Sequence, residues 1–181
     1  MKNVILGVTG SIAAYKAAEI ANMLTKNGCQ VDVIMTENAT KFITPLTFQT
    51  LTKRKVYVGM FEDDFQNNVE HISLAKRADL CLIAPASANI IGKLASGIAD
   101  DMLTTVVMAI RNAPIIISPA MNTAMYENAI VQENMAKLIK HGYLFIDPKE
   151  SLLACGDVGK GALADVELIT QTVLNQLENM K

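Results

Sequence analysis

The chain has 181 residues, of which 51% are hydrophobic, and its formal net charge is −2. This length suits a single domain over residues 1–181, with one core. The one basic cluster, Lys53–Lys55, is short and lacks interleaved aromatic residues, which disfavours a nucleic-acid surface. No apolar run approaches the ~20 residues of a membrane span and the amino terminus shows no secretory leader, so we expect a cytoplasmic protein.

Apolar runs alternate with helical patterns along the chain, which predicts an α/β fold: a three-layer, doubly wound parallel sheet, Rossmann-like or flavodoxin-like. The predicted strands are Asn3–Val8, Gln30–Met35, Asp79–Ala84, Pro114–Ser118 and Tyr143–Ile146, with a short strand near Val56–Val58. The predicted helices are Ser11–Lys26, Ser87–Ala95, Asp100–Ile110, Thr123–Lys140 and Asp165–Asn179. In such a sheet, polar residues that follow the strands are predicted to face one ligand site.

The first strand runs into Gly10-Ser11-Ile12, where a glycine turn meets the start of a helix. Backbone N–H groups and the positive end of the helix dipole favour a phosphate there. The third glycine of a dinucleotide fingerprint is missing and no Gly-Lys-Ser/Thr follows, so a single phosphate, as in FMN, fits better than a pyrophosphate. The alternative is an ordinary turn in which Ser11 caps the helix.

The stretch Pro119–Tyr126 places an amide and two thioethers directly after the very apolar strand Pro114–Ser118. At the carboxyl end of a strand, Asn122 is aimed at a ligand site. A second interpretation makes Asn122 the N-cap of the next helix and treats Met121 and Met125 as core residues.

Two further segments carry reactive groups. Val69–Leu74 holds His71, one of two histidines, and Leu153–Gly161 holds Cys155 in a glycine-punctuated loop. Taken alone, His71 is better explained as a surface residue or a residue at a helix start. The other cysteines, Cys29 and Cys81, are predicted to be small buried hydrophobes near or within strands.

The His71 segment, the Met121-Asn122-x-x-Met125 block and the Ala154-Cys155-Gly156-Asp157 loop together resemble the homo-oligomeric flavin-containing cysteine decarboxylases, within them the phosphopantothenoylcysteine decarboxylases. The resemblance covers essentially the whole chain. It implies an FMN-dependent enzyme of coenzyme A biosynthesis that converts 4′-phosphopantothenoylcysteine to 4′-phosphopantetheine and CO₂ by thiol oxidation, decarboxylation and enethiol reduction. It also implies trimers or dodecamers with flavin sites near subunit contacts, a separate phosphopantothenate–cysteine ligase and no metal.

The resemblance also implies roles for individual residues. His71 is the candidate base, Asn122 holds the substrate carboxylate, and Cys155 is the acid that protonates the enethiolate. The implied flavin-binding residues are Gly10, Ser11, Ile12, Thr36, Phe42, Ser87, Ala88, Asn89 and Met125. The implied substrate-binding residues are Asn122, Lys76, Ala154 and Gly156. For Lys76 and its neighbour Arg77, an interpretation as solvated helix charges is left open.

The loop glycines Gly156, Gly159 and Gly161 are expected to let a lid close over substrate. The chain departs from the family pattern at Tyr126, where Trp is usual, and at Lys160–Leu163, where Pro-Gly-Arg-Met is commoner. The second departure leaves open how the lid grips substrate.

Three other functions compete with this hypothesis. A peptidyl-cysteine decarboxylase of lantibiotic maturation shares His71 and the Asn122 block, but it releases the enethiol unreduced, and Cys155 argues against it. A flavin prenyltransferase shares the fold, yet is not expected to carry the His, Asn and Cys set. A non-catalytic flavoprotein that regulates a phosphatase usually has long acidic extensions.

Overall fold

The computed structural model describes residues 1–60, 70–152 and 158–180. Its middle layer is a six-stranded parallel sheet in the order β3-β2-β1-β4-β5-β6. The strands are β1 (Asn3–Val8), β2 (Gln30–Met35), β3 (Val56–Tyr57), β4 (Leu80–Ala86), β5 (Ile115–Pro119) and β6 (Leu144–Phe145). The strand order reverses between β1 and β4, and the carboxyl ends of these strands therefore open the crevice in which such sheets bind ligands.

Helices cover both faces of the sheet, and the predicted three-layer α/β fold is confirmed. One face packs against α1 (Ala14–Lys26), α2 (Pro45–Thr52) and α8 (Val166–Asn179). The other packs against α3 (Glu70–Arg77), α4 (Ala88–Ser96), α5 (Met102–Ala109) and α7 (Ala129–Lys140). A short helix, α6 (Thr123–Glu127), and an antiparallel hairpin, β7 (Lys149–Leu152) and β8 (Val158–Ala162), lie beside the carboxyl edge.

The central strands are buried on both faces, which explains their continuous apolar sequences. Along β1, Val4 and Leu6 belong to the core under α1, whereas Ile5 belongs to the core under α5. The polar residues that flank these apolar sequences mark where the strands end. The observed bounds of β1 and β2 are therefore the predicted ones. Within the described residues, no helix combines the length and the apolar character that a membrane crossing requires.

The structure corrects several predicted elements. The single helix predicted over residues 123–140 is two helices, because Asn128 leaves the helical conformation and its side chain accepts a bond from the Ile130 N–H at 3.0 Å. Ser11 does not cap α1, which begins three residues later. The glycine-punctuated segment forms the hairpin β7–β8 on either side of residues 153–157. Helix α2, which starts with Pro45 at its first position, was not predicted.

Candidate functional site

A cavity of about 500 Å³ opens at the carboxyl ends of β1, β4 and β5. Its lining includes these predicted site residues: Gly10, Ser11, Ile12, Phe42, Ser87, Ala88, Asn122 and Met125. They come from four separate segments of the chain, and the sheet brings them to one edge. The geometry therefore joins the glycine turn and the Asn122 block in a single site.

The turn after β1 has the features of an anion cradle. An added Cβ on Gly10 would lie 2.7 Å from the Asn38 Cβ, so the turn packs too closely for any side chain there. The Ser11 hydroxyl accepts a bond from the Ala13 N–H at 3.3 Å. Within the described part of the chain, the backbone N–H groups of Gly10 and Ile12 have no acceptor, so both are available to a bound phosphate.

Thr9 joins two walls of the cavity, and the sequence reasoning missed it. Its hydroxyl, which is buried, donates to the Pro85 carbonyl oxygen at 2.7 Å and accepts from the Ser87 N–H at 3.0 Å. These bonds connect the turn after β1 to the turn after β4. No local pattern identifies Thr9, because both partners lie more than seventy residues away.

Two polar residues of the cavity are also helix caps. The Ser87 hydroxyl accepts from the Ile90 N–H at 3.4 Å, and Asn122 Oδ1 accepts from the Ala124 N–H at 2.9 Å. Both residues line the cavity as well. The two interpretations of Asn122 are therefore compatible, because the capping bond orients an amide that lies at the site.

The hairpin β7–β8 packs directly on the turn that holds Asn122. The Met121 N–H donates to the Gly161 carbonyl oxygen at 2.9 Å, and Gly161 has φ +155. A Cβ on Gly161 would overlap the Met121 carbonyl oxygen, and one on Gly159 would lie 2.7 Å from Thr123 Oγ1. These two glycines are thus required for close packing, a different reason from the flexibility expected of them.

Other predicted site residues lie away from this cavity. Thr36 and Asn89 follow β2 and β4 but are not part of its lining, and the Thr36 hydroxyl accepts from the Ala39 N–H at 3.3 Å. His71 is half-buried at the second position of α3, and Lys76 is exposed on the same helix. The cavity of a single chain includes neither.

Ala154, Cys155 and Gly156 lie outside the described residues, so their roles stay predictions. Burial raises the pKa of the Cys81 thiol to about 12, and burial followed by the nearby Asp79 carboxylate raises that of Cys29. Both thiols are therefore poor nucleophiles. Among the described residues, no cluster of His, Cys, Asp and Glu is arranged to hold a metal ion.

The cavity also contains Met121 of the Asn122 block and Gly161, Ala162 and Leu163 of the expected lid. The lining residues that the sequence did not indicate are Ala13, Tyr15, Lys16, Ala120 and Ser151. Tyr15 and Lys16 lie in the first turn of α1, three and four residues beyond Ile12 at the end of the glycine turn. Their nearness to this turn in the sequence is the signal that could have suggested them.

Comparison with known proteins gives a consistent set of relatives. A family model described as Flavoprotein matches residues 1–178. A probable phosphopantothenoylcysteine decarboxylase of Streptococcus mutans is 52% identical over 177 residues, which are 97% of this chain and 99% of that protein. A coenzyme A biosynthesis bifunctional protein of Bacillus subtilis is 49% identical over 94% of this chain, which spans 42% of that longer protein.

Solved structures agree with these relatives. A PPC decarboxylase mutant complexed with pantothenoylaminoethenethiol superimposes with a TM-score of 0.86 at 31% identity, covering 98% of both chains. An FMN-dependent cysteine decarboxylase, SpaF, has a TM-score of 0.84 at 32% identity, with 98% of both chains covered. The chain is similar in fold to both kinds of cysteine decarboxylase.

Proposed function

This chain belongs to the Flavoprotein family, and on that basis we propose that it is an FMN-dependent decarboxylase of coenzyme A biosynthesis. Its substrate is 4′-phosphopantothenoylcysteine and its products are 4′-phosphopantetheine and CO₂. One observation carries the proposal: the glycine turn and Asn122 line one cavity, in a chain 52% identical to a probable decarboxylase of this substrate.

The residues of the cavity fit FMN. The unpaired N–H groups of Gly10 and Ile12 suit its phosphate, and the hydroxyls of Ser11 and Ser87 add polar contacts. The small side chain of Ala88 leaves room for a planar apolar ring. Bound FMN supplies a two-electron oxidant, and afterwards a reductant, for the carbon that bears the substrate thiol.

Asn122 would hold the substrate carboxylate. Because Oδ1 accepts the Ala124 N–H, the side-chain orientation is fixed, with the NH₂ group as the donor end. A neutral donor suits a carboxylate that must leave as CO₂, since a full positive charge would stabilise the ionised substrate more than the transition state. Asn122 therefore orients the carboxylate without neutralising it.

We also propose a homotrimer, alone or assembled into a dodecamer, with the flavin sites near subunit contacts. Large apolar side chains at the cavity are exposed in the single chain: Ile12 and Tyr15 at 59%, Phe42 and Met125 at 49%. Contacts between copies would bury them. His71 lies outside the cavity of its own chain. Contacts between copies would allow it to reach the cavity of a neighbouring copy and act there as the proton-accepting base.

The proposed acid is Cys155, which would return a proton in the reductive step. We also propose a cytoplasmic location, because a thiol that donates a proton must stay reduced, and the described cysteines, Cys29 and Cys81, are unpaired.

The proposed function is tested with the purified full chain. The cofactor released on denaturation should chromatograph as FMN, and phosphopantothenoylcysteine should yield CO₂ and the saturated thiol over many turnovers. A peptide ending in cysteine serves as the competing substrate, because the similarity to SpaF favours that chemistry as a second candidate. FAD, no flavin, or decarboxylation of the peptide alone would contradict the proposal.

A further inference from the structure

A lysine of the hairpin β7–β8 contacts helix α6. Lys160 lies on β8, between the two glycines that pack on Met121 and Thr123. Its ammonium lies 5.7 Å from the centroid of the Tyr126 ring, within the limit of about 6 Å for a cation–π interaction. Lys160 therefore connects the hairpin to the helix whose N-cap is Asn122.

The Lys160 ammonium has one other interaction within the described chain. It forms an ion pair with Asp147, whose Oδ2 lies 3.5 Å from Lys160 Nζ. The Asp147 side chain is 75% exposed, so water and salt screen this pair. Tyr126, by contrast, is buried and belongs to the same core as the side chains of α4 and α7. The fixed position of its ring makes the ring contact the one that holds the ammonium in place.

Helix α6 depends on tertiary contacts for its conformation. It has five residues, far fewer than an isolated helix needs to be stable. Tyr126 is its fourth residue, and the Tyr126 N–H donates to the Asn122 carbonyl oxygen at 2.9 Å. The Asn122 side chain is held in the same turn by the Ala124 N–H. A contact that fixes Tyr126 therefore also fixes the Asn122 amide.

The glycines of β8 give the hairpin a close fit on α6 but little attraction. Gly159 packs against Thr123 and has no side chain to contribute contacts. The Thr123 hydroxyl oxygen is buried there, and it has no hydrogen-bond partner among the described residues. A buried hydroxyl without a partner disfavours the packed state. The contact between Lys160 and the Tyr126 ring offsets this cost.

We infer that Lys160 is a positioning residue for decarboxylation. By binding the Tyr126 ring, it holds the hairpin on α6 and keeps the Asn122 amide oriented at the carboxyl-edge cavity. Lys160 itself is not part of the lining of that cavity. The inference deepens the proposed function and rests on it, because Lys160 acts only through the substrate carboxylate that Asn122 is proposed to orient.

The test compares lysine variants of one hairpin in the FMN-loaded full chain. Lys160→Met removes the charge and keeps an unbranched side chain, whereas Lys160→Arg keeps a cation that stacks on aromatic rings. Lys149→Met is the matched control. Lys149 lies on the same hairpin, its side chain is 39% exposed against 37% for Lys160, and it binds the carboxylate of Asp165 and not a ring. CO₂ release gives kcat and KM, and flavin fluorescence gives Kd for FMN.

Lys160→Met should lower kcat about tenfold and change KM and the Kd for FMN by at most about twofold, because a misaligned amide slows the reaction without removing a ligand contact. Lys160→Arg should recover most of the rate, and Lys149→Met should keep it. Tyr126→Phe, which keeps the ring, should also behave as wild type. Tyr126→Leu should reproduce the loss, and adding Lys160→Met to it should lower kcat no further.

A second background shows whether Lys160 acts through Asn122. In Asn122→Ala, the amide is absent, so Lys160→Met should have no further effect on the rate of flavin reduction in a single turnover. A loss that persists in this background, or a rise in KM with unchanged kcat, would mean that Lys160 contacts the substrate directly. Either result would overturn the inference.

Hydrogen exchange separates the inference from the proposed reaction, because it needs no turnover. In the peptide over residues 122–127, Lys160→Met should speed amide exchange about tenfold, and Lys149→Met should not. If wild type releases no CO₂ while exchange responds in this way, the proposed reaction fails and the hold of Lys160 on α6 stands. If Lys160→Met changes neither CO₂ release nor exchange, the reaction stands and the inference fails. Faster exchange with unchanged kcat would make Lys160 a stabilising residue only, which also overturns the inference.

Discussion

The two edges of the sheet treat charge in opposite ways. Toward the amino ends of the strands, Asp32 on β2 is 2% exposed and accepts bonds from Arg54 Nε at 2.8 Å and Arg77 Nε at 2.9 Å. At the carboxyl edge, the turn at Gly10 lines a cavity whose described lining is apolar or neutral polar except for the half-buried Lys16. A buried carboxylate whose partners belong to the chain holds elements together, whereas backbone N–H groups without an acceptor beside a cavity are available to a ligand.

The amino-edge cluster, formed by Asp32, Arg54 and Arg77, connects separate secondary-structure elements. Asp32 joins β2 to the turn before β3 through Arg54, and to the last residue of α3 through Arg77. Helix α3 carries His71 near its other end. The ion cluster thus orients the helix that presents the proposed base, although it lies at the opposite edge of the sheet.

The largest expected effect comes from Asn122, and it distinguishes a role in ligand binding from a role in helix capping alone. Asn122→Asp should lower the rate of CO₂ release about a hundredfold or more, because a new carboxylate would face the substrate carboxylate in a site of low dielectric. Asn128→Asp is the control: Asn128 caps α7 through the same type of bond but does not line the cavity. Aspartate caps helices as well as asparagine does, so both variants should keep the wild-type unfolding temperature. Equal activity of the two variants would return Asn122 to a capping role.

At the amino edge, the comparison predicts a loss of stability. Asp32→Asn leaves two guanidinium groups without their carboxylate and should lower the free energy of unfolding by about 3 kcal/mol in urea titrations. Asp100→Asn is the control, since the Asp100 side chain is 56% exposed and its partner Lys93 also binds Asp101, so the loss should be less than about 1 kcal/mol. Should the two variants lose the same small amount, the amino-edge cluster would not stabilise the fold.

Substitution of Thr9, at the carboxyl edge, should have an intermediate effect on both the stability of the fold and ligand binding. Thr9→Val removes two hydrogen bonds, one of them buried, while keeping the shape of the side chain, and it should cost about 1–2 kcal/mol of unfolding free energy and weaken FMN binding. Thr9→Ser should restore both. Thr52→Val controls for the loss of two hydrogen bonds at a buried threonine away from the cavity, because the Thr52 hydroxyl donates to the Phe48 carbonyl oxygen at 2.9 Å and accepts from the Arg54 N–H at 3.3 Å. FMN binding that is unchanged in Thr9→Val would show that the turns keep their positions without this bridge.

The smallest expected effect is a pH dependence at the start of α5. Burial raises the pKa of Asp101, but bonds from the Thr104 backbone and side chain, and then Lys93, outweigh it, and the net pKa is lowered. The carboxylate therefore stabilises the fold above the unfolded-state value of about 4, and this contribution is lost as pH falls through the lower folded-state value. Asp101→Asn should cost about 0.5 kcal/mol near pH 7 and progressively less in acid. A cost that is constant with pH would mean that the charge itself contributes nothing.

The sequence by itself determined the layers and part of the site. A continuous apolar run specifies β1, and the apolar residues around Asp32 specify β2, with the predicted bounds in both cases, because strands buried on both faces are rich in apolar residues. Glycine at position 10 and the amide at position 122 follow strands, and the carboxyl-edge rule for parallel sheets places both at one site. The division of residues 123–140 at Asn128 was not predicted, because an asparagine is compatible with either a helix interior or a cap.

Only the tertiary structure decided how these pieces meet. The bonds of Thr9 to residues 85 and 87, and of Met121 to Gly161, join segments distant in sequence, and no local preference encodes such pairs. The glycines of β8 were expected to provide flexibility, but their packing against Met121 and Thr123 gives them a steric role.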